Sequence, residues 1–286
     1  MKMSMDVVQH HSRIAFEAWK ELWKKNCLAN KDKICTSHKD FLGIYKDKKA
    51  VLFSYGPSFE KNIEEFKALN WKREDYVIGC VDKAFRPLIE RGIIPDFCLI
   101  ADGSIDAKLW LDGAPKEVFK KTILIANVYC NPGWPSAWAR NDSKERILWY
   151  LNKDNIACTP NNKWGTAEYF APIANYYEVI EAGSNVGNSL VIFSRKIFGC
   201  RTSYLFAYDY CWGHGEYYGV ETPAKRYLVP SYNVVDNNND LVFTTTNMEF
   251  SAGWLDQYIV HAKQSYGVDI FNLTGRGILK QGKVLA

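Results

Sequence analysis

Val51-Leu-Phe-Ser-Tyr-Gly-Pro-Ser58 runs from an apolar segment straight into a Gly-Pro-Ser turn. That is how a strand hands over to a helix at the carboxyl edge of a parallel sheet. Downstream, Phe59 to Leu69 places Ile63, Phe66 and Leu69 at helical spacing, and Tyr76 to Val81 is again a continuous apolar run. Lys83 to Arg91 predicts the next helix and Phe97 to Ala101 the next strand. Short apolar runs alternating with helical stretches are the signature of βαβ units, so an α/β fold with a mainly parallel sheet flanked by helices is expected.

The same rhythm extends outward. Thr122 to Val128, Arg146 to Leu151 and Arg201 to Tyr208 read as strands, and Asn188 to Phe198 as a helix with Leu190, Val191, Phe193, Ile197 and Phe198 inward. Cys130 to Trp138, rich in Pro and Trp, shows neither period and reads as a surface excursion. Beyond Asp209 the chain reads as aromatic and irregular, with Asp236-Asn-Asn-Asn-Asp240 as a polar turn. At the other end, Ile14, Ala18, Trp19, Leu22 and Trp23 form an apolar stripe and predict an amphipathic helix packed on the main domain. The expected organisation is therefore an N-terminal helical cap over 1–46, a nucleotide-binding core over 47–212, and a lid loop with a small C-terminal extension over 213–286.

The chain has 286 residues, enough for one substantial core. Its 36 Lys and Arg against 32 Asp and Glu leave a net charge of +4, too small and dispersed for an electrostatic footprint on nucleic acid. Eight cysteines, Cys27, Cys35, Cys80, Cys98, Cys130, Cys158, Cys200 and Cys211, include no C-x-x-C pair and read as buried, reduced thiols rather than zinc ligands. No signal peptide or membrane-spanning run is visible, so a cytoplasmic location without a transmembrane segment is expected.

Four groups of residues carry candidate chemistry. Gly56, Pro57 and Ser58 stand where a strand ends and a helix begins: Gly permits close backbone approach, Ser can cap the helix, and free amides there suit a phosphate. Asp82 and Asp102 each come directly after a strand. Either carboxylate can bind ribose hydroxyls, hold a Mg2+ ion beside phosphates or act as a base, the alternatives being an N-cap for Asp82 and a turn residue for Asp102. Gly183, Ser184, Asn185, Gly187 and Asn188 form a loop of small polar residues before an apolar helix. Such a loop offers amides to an anion or sugar hydroxyl, or simply ends in a helix cap. Asp209 closes the late strand, and His214 stands beyond it in a glycine-flanked loop, either as a general acid or base or as a surface imidazole. No G-x-G-x-x-G or G-x-x-x-x-G-K-[ST] is present.

Taken in order, the Gly-Pro-Ser turn, Val81-Asp82-Lys-Ala-Phe85, Gly92-Ile-Ile-Pro-Asp96 leading to Asp102, the Gly183-Ser184-Asn185-Val186 loop and Phe206-Ala-Tyr-Asp209 resemble the Rossmann-like family of archaeal 6-hydroxymethylpterin diphosphokinase. That family also holds the motility-associated-factor glycosyltransferases of bacterial flagellin, and it is distantly similar to sialyltransferases that use CMP-sugars. The segments Trp254-Leu-Asp-Gln-Tyr258 and Asp269-Ile-Phe-Asn-Leu-Thr-Gly-Arg-Gly277 resemble the region after the core in the motility-associated-factor proteins. His214 falls where the sialyltransferases carry their base, whereas Tyr55 and Asp82 stand where those enzymes have Asn.

The resemblance implies a nucleotide-dependent transferase, first a glycosyltransferase with a nucleotide-sugar donor, a CMP-sugar among the candidates, and a small-molecule or glycan acceptor. Diphosphate transfer from ATP to a pterin alcohol, with Mg2+ at Asp82 and Asp102, is the alternative, and a non-catalytic nucleotide-binding protein the second. No organic cofactor is implied.

Overall fold

The computed structural model describes residues 5–153, 166–181, 183, 185–213 and 231–282, with side chains described from Phe16 onward. In chain order, the described residues form α1 (Met5–Asn30), β1 (Lys49–Phe53), α2 (Phe59–Ala68), β2 (Tyr76–Val81), α3 (Asp82–Glu90), β3 (Phe97–Ile100), α4 (Ala107–Leu111), α5 (Lys116–Lys121), β4 (Ile123–Asn127), α6 (Gly133–Arg140) and β5 (Ile147–Lys153). They continue with α7 (Thr166–Ala174), β6 (Val179–Glu181), α8 (Val186–Lys196), β7 (Thr202–Phe206), β8 (Tyr232–Val235), β9 (Leu241–Thr244), α9 (Thr246–Tyr266) and β10 (Asp269–Asn272). The fold is α/β and Rossmann-like, with a mainly parallel sheet flanked by helices and a helix at the N-terminus.

The chain divides into two compact units, one of residues 1–42 and 85–182, the other of 43–84 and 183–286. In the second unit the strand order is β10-β7-β1-β2. β1 pairs in parallel with β2 on one side, Val51 opposite Ile78, and with β7 on the other, Val51 opposite Tyr204. β10 pairs in parallel with β7. β1 and β2 are joined through α2, but β7 arrives from much later in the chain, which makes the β1/β7 boundary a topological switch point, where open α/β sheets bind ligands. Phe53 stacks on Phe206 at 5.2 Å and meets Phe66 of α2 edge-on at 5.5 Å. Each such buried aromatic ring contributes about 1.5–3 kcal/mol, so this edge of the sheet is held rigidly.

The segment after residue 209 is more regular than its sequence suggests. α9 is a 21-residue helix opened by Thr245, whose hydroxyl accepts from Met248 N, and closed by Gly267 at φ +63°. The expected polar turn joins β8 to β9, with Asp236 Oδ1 accepting from the Asn238 and Asp240 amides. Residues beyond 212 also supply β10 to the sheet.

In the first unit β3, β4, β5 and β6 lie side by side, paired in parallel. The expectation of a surface excursion at Cys130 to Trp138 is corrected here. α6 covers most of it, and Trp134 and Trp138 are fully buried, their indole N–H groups donating to Ile105 O and Thr122 O. Pro135 sits in the first turn of α6, where a missing N–H costs nothing, so the proline obscures the helix without breaking it.

α1 packs against α7, as a helical cap should. Its buried face, however, is Phe16, Asn26, Cys27 and Asn30, with Trp23 stacked on Tyr129 at 4.8 Å; Trp19 is 44% exposed and Ala18 is exposed too. The stripe is rotated because buried asparagines belong to it. Asn26 Nδ2 donates to Gly103 O and Tyr129 O, and Asn30 Nδ2 to Val128 O and Cys130 O, satisfying loop carbonyls that an apolar residue could not. Of the cysteines, Cys27, Cys80, Cys98, Cys130, Cys200 and Cys211 are buried thiols, Cys35 is exposed against expectation, and Cys158 lies outside the described residues.

Candidate active site at the β1/β7 edge

The second unit gathers most of the sequence-predicted residues where β1 and β7 end and α2 and α8 begin. Ser54 N extends the ladder to Phe206 O at 3.0 Å, and Gly56 N donates to Ala207 O at 3.1 Å. A Cβ on Gly56 would stand 2.1 Å from Asp209 Oδ2 and 2.7 Å from Ala207 O. Only glycine allows the turn to approach β7 this closely.

Ser58 does not cap α2 with its own side chain, as expected of it. Its hydroxyl donates to Asp209 Oδ1 at 2.5 Å and its amide to Asp209 Oδ2 at 3.2 Å. Asp209 therefore occupies the position an external anion would take at the start of α2, where unpaired amides and the helix dipole favour negative charge. The free amides expected of the Gly56-Pro57-Ser58 turn are thus spent inside the protein. Burial pushes the Asp209 carboxyl above the ordinary carboxylate range, while Ser58 and then Arg276 draw it back down. Arg276 Nε lies 3.1 Å from Asp209 Oδ1 and 3.0 Å from Ser58 Oγ.

The chain leaves β7 through two left-handed residues, Ala207 at φ +61° and Tyr210 at φ +55°. Such conformations cost about 1–3 kcal/mol each and persist only where neighbours over-determine them. Here Ala207 N donates to Asn62 Oδ1 at 2.7 Å, Tyr208 N to Thr274 Oγ1 at 2.9 Å, and the Tyr208 hydroxyl to Gly187 O at 3.0 Å. Burial drives both tyrosine hydroxyls far above their ordinary pKa, so they act as neutral donors.

The loop before α8 completes the edge. Asn185 is the N-cap, its side chain accepting from Asn188 N at 2.8 Å. Fully buried Asn188 donates to Ser251 O at 2.9 Å and accepts from the Tyr210 hydroxyl. Gly187 packs against Tyr208 and Ser54, and Gly183 lies so close to Trp254 that a Cβ would fall 2.6 Å from the indole. Side chains in this loop therefore hold the loop itself, which leaves the dipole end of α8 as its feature that favours an anion. Ser184 and His214 lie outside the described residues.

Asp82 is in the same unit, buried at the end of β2 as the first residue of α3, with Oδ1 accepting from Lys83 N at 2.7 Å. Asp102 belongs to the other unit. It is exposed, and its Oδ1 accepts from the Ser104 amide at 2.7 Å and hydroxyl at 2.8 Å, a side-chain-closed turn. Among the described residues no group of three or more His, Cys, Asp or Glu side chains could hold a metal ion. The residues that sequence reading passed over are Asn62, Tyr208, Tyr210, Trp254, Thr274 and Arg276. The signal for Arg276 was its glycine bracket, Gly275-Arg276-Gly277, in which Gly277 at φ +95° lies too close to the Asp209 backbone for any Cβ.

Among known structures the chain resembles the Maf glycosyltransferase from Magnetospirillum magneticum AMB-1, with a TM-score of 0.58 and 18% sequence identity. The match covers 92% of this chain and 38% of that one, so this chain spans well under half of that protein's length. No curated protein matches it. No helix among the described residues is long and apolar enough to cross a membrane. The family model of 6-hydroxymethylpterin diphosphokinase MptE-like proteins matches residues 25–215, more than half of the chain, and the protein belongs to that family.

Proposed function

We propose that this protein is a nucleotide-dependent transferase that takes a sugar from a nucleotide donor. The observation that carries the reading is the convergence, at the β1/β7 switch point, of the Gly56-Pro57-Ser58 turn, the α8 N-terminus and the Asp209–Arg276 pair. The glycosyl reading is favoured by the extent of the Maf likeness, which covers 92% of this chain where the family model covers residues 25–215. The donor's phosphates would lie at the first turn of α8, against Gly183, Ser184, Asn185, Gly187 and Asn188, with the Gly56-Pro57-Ser58 turn, its amides engaged by Ala207 and Asp209, as a wall of the nucleotide site. Asp82 and Asp102 are each candidates to orient the nucleotide or a Mg2+ ion.

In the reaction the acceptor oxygen attacks the anomeric carbon, and His214 takes the acceptor's hydroxyl proton as general base. The bond from that carbon to the donor phosphate breaks, with the phosphate leaving on the electron pair. The protein's contribution is positioning and stabilisation of charge on the departing phosphate by preorganised dipoles. Diphosphate transfer from ATP is the second reading, favoured by the family match itself.

A thermal-shift panel of CMP, CDP, UDP, GDP and ATP, each with and without Mg2+, on wild type and Asp102→Asn tests both readings. A ligand at 100 times its Kd stabilises the folded state by about 2.7 kcal/mol, an easily read rise in midpoint. Stabilisation by CMP or another sugar-donor nucleotide supports glycosyl transfer. A response to ATP with Mg2+ alone, lost in the variant, replaces it with diphosphate transfer, and no response to any nucleotide overturns both.

A further inference from the structure

Residues 272–278 lie beyond the family-matched segment, yet they lash together the nucleotide-side ends of α2 and β7. Asn62 Nδ2 donates to Thr274 O at 3.2 Å, Thr274 Oγ1 accepts from Tyr208 N, and Ile278 N donates to Asp209 O at 3.0 Å. At the centre of this lash, Arg276 is one-third exposed and rests on an Asp209 side chain that is not exposed at all. Asp209 in turn accepts both donors of Ser58.

We propose that Arg276 is a positioning residue for the nucleotide turn, keeping Asp209 in the form that grips Ser58 and so fixing the Gly56-Pro57-Ser58 backbone for the donor. The inference rests on the nucleotide-transfer reading above. A buried carboxylate stays charged only beside a cation or strong donors. Once protonated, Asp209 has an O–H to place and one acceptor oxygen fewer in full use, and Ser58 loses one of its two anchors.

The groups acting on Asp209 are Ser58 from the start of α2 and Arg276 from the segment after β10, while Cys211, two residues along the chain, feels both Asp209 and Asp236 of the β8–β9 turn. Burial pushes the Cys211 thiol up to about 12, which leaves it neutral. Asp236 is engaged with the Asn238, Asp240 and Gly277 amides. Among the described residues, the positive charge in contact with Asp209 is Arg276.

The test is calorimetric binding of whichever panel nucleotide stabilises wild type, between about pH 5 and pH 8, for wild type, Arg276→Gln, Arg276→Lys and Asp209→Asn. An opposite charge in contact lowers a carboxyl by about one to three units. Loss of Arg276 should therefore move the acid limb of binding upward by about one unit or more and weaken binding several-fold at the acid end. Arg276→Lys should restore most of the limb's position, and Asp209→Asn should abolish the limb. A merely structural arginine would lower the unfolding midpoint in Arg276→Gln and leave the limb where it is, and that result overturns the inference alone. Wild type that binds no nucleotide overturns the transfer reading together with it. Should Arg276→Gln fail to fold, Arg276→Lys and Asp209→Asn decide: a limb that survives Asp209→Asn refutes the role.

Discussion

Gly56→Ala is the sharpest perturbation the structure offers, because the added methyl has nowhere to go. Its carbon would stand 2.1 Å from Asp209 Oδ2, 2.7 Å from the Ala207 carbonyl oxygen and 2.9 Å from Asp209 Cγ. None of these is the far end of a flexible chain. Ala207 is held by Asn62, and the Asp209 carboxylate by Ser58 and Arg276. Forcing a methyl into a packed site costs about 1–3 kcal/mol. Displacing the Asp209 carboxylate from Ser58 adds roughly 1.5–3 kcal/mol for hydrogen bonds to a charged group. The sum is a destabilisation of about 3 kcal/mol or more. Gly253 in α9 is the control: a Cβ there meets nothing within 4 Å, so Gly253→Ala should stabilise by up to about 1 kcal/mol through helix propensity alone. Urea unfolding measures both. With m about 3 kcal/mol/M, Gly56→Ala should lower the midpoint by about 1 M, and Gly253→Ala should raise it slightly. A Gly56→Ala midpoint within error of wild type would refute the close approach of the turn to Asp209, and with it the geometry assigned to the site.

The first unit and the cysteines supply two further expected outcomes. Glu178 accepts from Ser37 Oγ at 2.5 Å, His38 N at 2.8 Å and the Tyr176 hydroxyl at 2.9 Å, and these contacts hold its carboxyl below the ordinary range even though burial pushes it up. His38 Nδ1 is also 2.9 Å from Glu178 Oε2, a contact of proximity rather than an aligned hydrogen bond. A depressed carboxyl stabilises the fold above its unfolded pKa and loses that contribution as pH falls through its folded pKa. Glu178→Gln should therefore cost about 1 kcal/mol at neutral pH, allowing for solvent screening, and the difference from wild type in unfolding midpoint should shrink on acidification; a difference independent of pH would contradict the tether. Burial pushes the Cys27 thiol up to about 11 and that of Cys211 to about 12, whereas Cys35 is exposed. Mass-mapped alkylation of the native protein near pH 8 should label Cys35 and spare Cys27 and Cys211, and labelling of either buried thiol at the same rate would contradict their placement.

The alternation of apolar runs and helical stretches from Val51 onward was enough, by itself, to determine an α/β fold, most of its strands to within a residue or two, and the junctions at Gly56-Pro57-Ser58, Asp82, Gly183 to Asn188 and Asp209. These features are local: side-chain periodicity and turn chemistry are written in neighbouring residues. Tertiary structure decided what local patterns cannot carry. It rotated the buried face of α1 toward Asn26 and Asn30 because distant loop carbonyls needed donors, and it buried Trp134 and Trp138 in a helix that Pro135 disguised. It also brought β10 beside β7. Above all, it set Asp209 at the start of α2 and Arg276 beside it, 151 and 218 positions along the chain from Ser58. A buried carboxylate must find its donors and its counter-charge wherever the fold brings them, and nothing in either residue's own neighbourhood names that partner.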